Sequence, residues 1–223
     1  MGFNIAIDGF SGAGKTTLAK ALAKKLRFIH VDTGAMYRAI ALYVISNNID
    51  YYKEDDVVVG CRNLGIDIKH SNQGQQVLLN DVNVTNQLRN LEVSRVSSII
   101  SAYKQIRDKL LQHQRQLAKN NNVIMDGRDI GTNVLVDAEI KIFLEADIDV
   151  RAKRRKAELL ERGIDKSFDE VKLDLEERDY RDSTRQNSPL RKAEDAIVLN
   201  STNMSIEEEV NQIIKIYKSK INE

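Results

Sequence analysis

The chain has 223 residues, 42% of them hydrophobic and 30% charged, with a formal net charge of +1. This length suits one domain with room for an insertion, and the composition excludes a disordered, collagen-like or disulfide-stapled chain. A charge so near zero gives no global field to draw in nucleic acid or an anionic membrane, so any basic function must be local.

The first apolar run, Phe3-Asn4-Ile5-Ala6-Ile7-Asp8, reads as a buried strand. It leads into Gly9-Phe10-Ser11-Gly12-Ala13-Gly14-Lys15-Thr16, which fits the P-loop pattern G-x-x-x-x-G-K-[ST]. Thr17–Leu26 then carries strong helix formers with apolar residues at helical spacing. Strand, glycine-rich loop and helix in that order are the context the motif requires. Glycines let successive amides turn inward as an anion nest at the positive end of a helix dipole. Lys15 is expected to reach the β- and γ-phosphates of a nucleotide, and the Thr16 hydroxyl to ligate Mg²⁺.

Phe28–Asp32 reads as a second buried strand, and Asp32 or Thr33 caps a helix running to about Ser46. Strand–helix–strand–helix order predicts a parallel sheet with ligands at the carboxyl ends of its strands, which puts Asp32, Thr33 and Arg38 near the P-loop. Residues 47–63 read as a polar connection with a short helix. Residues 64–88 read as a small antiparallel sheet turning at Asn80-Asp81. Residues 91–118 return to helical spacing with a break near Ser101, and Arg107 sits at the edge of the apolar stripe.

Val123-Ile124-Met125 is a buried strand ending in Asp126-Gly127-Arg128-Asp129-Ile130-Gly131-Thr132. An apolar strand closed by an aspartate suggests a carboxylate near the Mg²⁺ shell, here Asp126, through water. Lys141–Ala146 is a further strand, after which Asp147 or Asp149 caps a helix. This helix carries Arg151, Lys153, Arg154, Arg155 and Lys156. Such a run is a solvated face, a nucleic-acid patch, or a set of cations around a transferring phosphoryl group; no aromatics are interleaved for base stacking. A second charged helix from about Phe168 sets Arg178, Arg181, Asp182 and Arg185 on one face. Ala196–Asn200 is expected as the last core strand, and Ser205 caps a terminal amphipathic helix. His30, His70 and His113 show no ligand spacing and read as structural. Cys61 is the only cysteine, no signal peptide precedes the first strand, and no apolar run approaches about 18 residues, so the protein is expected in the cytoplasm.

GFSGAGKTT, DTGAMYR, DGRDIGT, KIFLEA and ERDYRDSTR, in this order, resemble the bacterial cytidylate kinases, which are nucleoside monophosphate kinases. Phe10 stands where that family often has proline, and Thr33 where serine is common. The resemblance implies a P-loop NTPase-type α/β fold, with about five parallel strands and helices on both faces. Residues 1–46, 91–150 and 186–223 would form the core, 47–90 a monophosphate-binding insertion and 151–185 a helical lid. It implies that ATP lies on Gly9–Thr17 and Arg151. It implies that Thr33, Arg38, Arg128 and Arg185 hold the acceptor phosphate side, that Asp182 and Arg178 meet the ribose, and that Ser98, Arg107 and Asp129 read cytosine. Lys15, Arg128, Arg154 and Arg155 would act on the transferring group, with Mg²⁺ as cofactor. The expected reaction is phosphoryl transfer from ATP to CMP or dCMP by a monomer, without nucleic acid or membrane. Another small-molecule kinase acting on UMP, AMP or dTMP, a nucleic-acid-binding ATPase and a silent nucleotide-binding module are the alternatives.

Overall fold

In the computed structural model, which describes residues 2–71 and 74–222, the first apolar run forms β1 (Asn4–Gly9), buried from Ile5 onward. Met1, Glu223, and Asn72 and Gln73 within the expected insertion lie outside the described residues. A strand apolar on both faces belongs in the middle of a parallel sheet. Accordingly β1 lies between β6 (Val123–Asp126) and β7 (Ile140–Glu145). β2 (Ile29–Asp32) flanks β6, and β8 (Ile197–Asn200) flanks β7, completing a five-stranded sheet. Every pairing in it is parallel.

Two strands expected in the core are instead its edges. Only Val31 of β2 and Leu199 of β8 are buried, while Ile197 and Val198 are 44% and 43% exposed. A short apolar run looks the same whether or not a further strand lies beyond it.

Alternation along β1 sends Ile5 and Ile7 to one face and Ala6 to the other. On the first face they meet Leu18 and Leu22 of α1 (Lys15–Leu26) and Ile213 of α8 (Ile206–Ile221). On the second, Ala6, Val31 and Met125 meet three helices: α2 (Thr33–Ser46), α4 (Leu91–Ile100) and α5 (Lys104–Lys119). The break near Ser101 therefore separates two helices, as the spacing predicts. Two helices start on full capping boxes: α7 (Phe168–Thr184) on Ser167 with Glu170, and α8 on Ser205 with Glu208. Asp147 stands at the N-cap of α6 (Ile148–Glu161) without a side-chain cap bond, and Asp149 lies in its first turn. Of the expected caps there, only the favourable charge is present.

After α3 (Glu54–Gly60), β3 (Ile66–Ser71), β4 (Gly74–Leu79) and β5 (Val82–Asn83) form the separate antiparallel sheet. Asn80 and Asp81 turn with φ of 46° and 65°, the two left-handed residues a tight hairpin needs. Val77, Val84 and Leu88 pack this unit on Ala35 and Ala39 of α2. Gln75 of β4 also grips the Asp32 peptide: its Oε1 accepts the Asp32 N–H at 2.7 Å and its Nε2 donates to the Asp32 carbonyl at 3.2 Å. α6 and α7 pack on each other through their own cluster of Ala152, Leu159, Val171 and Leu175. The small sheet and the α6–α7 pair thus flank the carboxyl ends of the central strands.

Candidate active site

β1 ends at the P-loop because Gly9 passes flush against β7: a Cβ there would stand 2.1 Å from the Leu144 carbonyl oxygen. At the other end Gly14, with φ of 97°, caps α1 with no side-chain bond to its first amides. The first-turn N–H groups of α1 face the loop, the arrangement that binds anions. Lys15 is 6% exposed and its Nζ donates to the Phe10 carbonyl at 2.6 Å. Burial, and then the neighbouring Arg128, push its pKa well below that of an ordinary lysine. Thr17, one residue past the motif, is exposed on α1.

Thr16 Oγ1 donates to Asp126 Oδ2 at 2.7 Å. The other oxygen, Oδ1, faces His30 Nε2 at 2.7 Å, and Thr33 Oγ1 donates to the Asp126 carbonyl at 2.8 Å. The ends of β2 and β6 meet here, since Asp32 pairs with Asp126 in register. His30, read from sequence as purely structural, orients the carboxylate beside the P-loop threonine.

Beyond Asp126 lies a narrow cleft of about 50 Å³ at the junction of α2, α4, α5 and the end of α7. Arg107, Arg128, Arg178 and Arg185 line it together with Asp129 and Asp182. Arg128 Nε donates to Asp182 Oδ2 at 2.8 Å, Arg178 Nε lies 3.9 Å from the same oxygen, and Arg185 Nη1 lies 4.0 Å from Oδ1. Burial works to raise the Asp182 pKa, but these three guanidiniums outweigh it and hold the carboxyl below its usual value. Arg178 is pushed down to about 10 by burial and by Arg128. Arg185 stands just past α7 in an extended conformation rather than on its face, and Arg181 points instead toward Ser98 and Glu177.

Asp129 forms the second charge centre. Arg107 Nη2 and, at 3.1 Å, Asn133 Nδ2 donate to its Oδ2, and Arg185 Nη2 lies 3.4 Å from Oδ1. Arg107 also donates to the Ser101 carbonyl at 3.0 Å and lies over the Tyr37 ring, 5.6 Å from its centroid. Arg107 is 6% exposed and Ser98 5%, so the arginine expected at the edge of a helix stripe is buried in the cleft. Among the described residues neither Arg107 Nε nor Arg178 Nε has a hydrogen-bond partner, although both are buried. Buried donors left unpaired are costly, and two in one cationic cleft mark it as built for an anionic or acceptor-rich ligand. Arg38 Nη2 pairs with Asp32 Oδ2 at 2.7 Å, and its guanidinium lies against Gly34 on the cleft wall.

A larger cavity of about 360 Å³ shares Ser98 and Arg178 with the cleft and opens toward Ser11 of the P-loop and Arg155 of α6. The α6 arginines divide sharply in placement. Arg155 pairs with Glu158 on its own helix at 2.7 Å. Arg154 donates to Ser201 Oγ and to the P-loop carbonyl of Ala13, at 3.1 and 3.3 Å. Arg151 is buried: it pairs with Asp179 Oδ2, donates to the Ser11 carbonyl at 3.0 Å and lies 5.3 Å from the Phe10 ring centroid. Asp179 Oδ1 in turn accepts the Ser11 N–H at 3.0 Å. Both sides of the Ser11 peptide are therefore clasped by α6 and α7.

From the sequence no role is assigned to Gln75, Asp179 or Asp8, the last of which caps the turn after β6, and His30 reads there as structural. The available signal for Asp8 was the one used for Asp126, an acid closing an apolar strand. Burial pushes the Asp8 carboxyl up to about 7, against the pull of the Gly131 and Ile130 amides and of Lys15. For His30, Gln75 and Asp179 the spacing carries no such mark.

The sequence profile of the family described as cytidylate kinase matches residues 5–219. A cytidylate kinase of Caldicellulosiruptor saccharolyticus is 49% identical, covering 96% of this chain and 95% of that protein. One of Fusobacterium nucleatum is 46% identical, covering 95% of each. In fold alone the chain is similar to a gluconokinase from Sinorhizobium meliloti, with a TM-score of 0.50, 13% identity, and 99% and 94% of the two chains covered. It is likewise similar to an uncharacterized protein from Eubacterium ventriosum, with a TM-score of 0.54, 15% identity, and 97% and 99% covered. With the profile spanning nearly the whole chain and close relatives matching end to end, this chain belongs to the cytidylate kinase family.

Proposed function

We propose that this chain transfers the γ-phosphoryl group of ATP to the phosphate of CMP or dCMP, giving ADP and CDP or dCDP. The observation that carries this reading is the cleft itself. Arg128, Arg178 and Arg185 surround Asp182, Arg128 and Arg178 lie near enough to the P-loop lysine to depress its pKa, and Arg107 and Asp129 line the same cleft. A phosphate dianion needs planar, permanently charged forks, and arginine supplies them. Arg38, Arg128 and Arg185 hold the acceptor phosphate, Thr33 lines its approach, and Asp182 with Arg178 meets the ribose hydroxyls. Ser98, Arg107 and Asp129 read cytosine through its amino group and its ring acceptors.

The acceptor oxygen is already anionic, so the reaction needs no strong general base. Positioning and charge stabilisation carry the rate. The P-loop amides from Gly9 to Thr16 hold the donor phosphates, and Lys15 leaves its loop carbonyl for the bridging region. Arg154 and Arg155 come from the α6–α7 lid to the transferring group. Arg151 acts on the donor side by holding Ser11 and Phe10. Mg²⁺ fits the residues present: Thr16 and Asp126 are hard oxygen donors in hydrogen-bond contact. Among the described residues no cluster of three His, Cys, Asp or Glu side chains forms an all-protein cage. Such sparse ligation suits an ion that keeps its waters and takes the rest of its shell from phosphates. When bound, the ion neutralises charge on the donor phosphates. Both substrate sites lie within one chain, so we place the activity in a monomer. We place it in the cytoplasm and in pyrimidine nucleotide metabolism, where the substrates are.

The test is an acceptor panel: CMP, dCMP, UMP, AMP and dTMP with ATP, with Mg²⁺ and with chelator, and with an oligonucleotide arm scored for ATP hydrolysis. CMP and dCMP should be preferred, and chelation should abolish turnover. Preference for another acceptor, or hydrolysis stimulated only by the oligonucleotide, refutes the reading.

A further inference from the structure

Asp8 closes β1 one residue before the first P-loop glycine and is 5% exposed. Its Oδ1 accepts the Ile130 N–H at 2.8 Å, and its Oδ2 accepts the Gly131 N–H at 2.7 Å. Those two amides follow Asp129 directly, so both carboxylate oxygens are taken by successive peptides of one turn. The turn is a wide one: the Asp129 carbonyl accepts from both Asn133 and Val134 N–H groups, at 2.9 and 3.2 Å. Ile130 is 1% exposed and presses on the backbone of Gly127, where a Cβ would stand 2.6 Å from Ile130 Cδ1.

The backbone ladder does not reach this turn. β1 and β6 pair in register only as far as Ile7 with Asp126, and the last bond is Gly127 N–H to the Ile7 carbonyl at 3.0 Å. Past that point the donor loop leaves in one direction and the acceptor turn in another. The Asp8 carboxylate spans the gap they leave.

We infer that Asp8 is a positioning residue for base selection and phosphoryl transfer, its carboxylate fixing the acceptor turn that carries Arg128 and Asp129 against the donor loop that begins at Gly9. This rests on the acceptor role given above to Arg128 and Asp129. Asp8 touches neither substrate. It acts by geometry, because in-line transfer is sensitive to displacements of about 1 Å. Asparagine at this position is nearly the same shape, but it has one acceptor oxygen, and its amide N–H₂ would face a backbone donor. One amide of the turn is then left unpaired in a buried site.

The experiment compares wild type and Asp8→Asn as full-length chains. It measures kcat and KM with CMP and with UMP, corrected for folded fraction, and amide hydrogen exchange at Ile130 and Gly131. In Asp8→Asn, kcat with CMP should fall by more than about tenfold. The CMP-to-UMP ratio of kcat/KM should fall as well, and exchange should accelerate at those two amides but not in α8. A purely structural aspartate would lower stability and leave kcat and the ratio of the folded enzyme within about twofold of wild type; that outcome overturns the inference. If the variant does not fold, exchange in wild type decides. Ile130 and Gly131 amides as labile as those of exposed loops refute the clamp, and strong protection supports it. Failure of wild type to phosphorylate CMP would sink the functional reading instead, while the exchange result still stands for the clamp.

Discussion

Replacing Asp129 by asparagine probes base selection with the least change in shape. A carboxylate offers about four acceptor directions. Here Oδ2 takes Arg107 Nη2 and Asn133 Nδ2, while among the described residues Oδ1 takes only Arg185 Nη2, at 3.4 Å. One direction on Oδ1 is left, and the proposed base reading would place the cytosine amino group there. In Asp129→Asn, if the amide nitrogen takes the Oδ1 position, it meets the cytosine amino group donor to donor, but it can donate to the O4 of uracil. A buried polar group left unpaired costs about 1–3 kcal/mol, or roughly 5- to 150-fold in kcat/KM. CMP loses that much and UMP recovers part of it, so the CMP-to-UMP ratio should fall by at least about tenfold. Stability must be followed in parallel, because Arg107 is 6% exposed and loses the negative charge it pairs with. Breaking such a pair outright costs about 3–5 kcal/mol, and asparagine, which keeps one acceptor oxygen, should cost less. Steady-state kinetics with both acceptors, beside a denaturant titration, separates the two effects. A well-folded Asp129→Asn with an unchanged selectivity ratio would show that Asp129 only organises arginines.

Lys15→Ala should lower kcat by about 10²–10³-fold, the usual cost of removing one preorganised donor to a developing charge. Its melting temperature should be equal to wild type or higher, because the lysine is buried beside Arg128 and Arg178; near-normal turnover would refute its role. Asp179→Ala should raise the KM for ATP and lower stability by about 3–5 kcal/mol, since it strands buried Arg151 and frees the Ser11 peptide. An unaltered KM in a folded variant would count against the clasp. Glu209 is 1% exposed, its Oε2 has no hydrogen-bond partner among the described residues, and burial pushes its carboxyl up from 4.5 to about 7, with Arg154 pulling the other way. A pKa raised on folding means that its stabilising contribution is present below about 4.5 and is lost as pH rises through about 7. Glu209→Gln should therefore match wild type near pH 4.5 and exceed it at pH 8 by at most about 3 kcal/mol, measured by denaturant unfolding. A constant difference across that range would contradict the argument.

What could be read from the sequence was what is local along the chain. The P-loop announces itself because glycine, lysine and threonine are required at fixed separations by one phosphate chain. The Asn80-Asp81 hairpin and the cap at Ser205 are equally local. The length of the helical tract over 91–118 is enough to expect a break near Ser101. Periodicity could not rank strands within the sheet. The apolar residues of β2 and β8 read as core strands, but strand order is decided by crossovers that join distant segments.

The acceptor cleft shows the same limit from the side of charge. Arg107 follows Ile106 on α5, and nothing in that helix distinguishes a surface arginine from one sealed against Asp129. The distinction is made 22 residues away in sequence, by the acid that receives it. Arg128 finds its partner Asp182 at a separation of 54 residues, and Ser11 finds Asp179 at 168. A cation and an acid each read as surface residues in isolation, since neither is stable alone in a low-dielectric interior. Only pairing makes burial tolerable, and pairing is a property of the fold. Arg38, Arg128 and Arg185 each already face a carboxylate, in Asp32, Asp182 and Asp129. A phosphate dianion bound there would compete for guanidiniums that are in part neutralised, by offering several anionic oxygens to several forks at once. On the proposed acceptor role of these arginines, cytidine, which lacks that phosphate, should bind far more weakly than CMP, and equal affinity for the two would contradict that role.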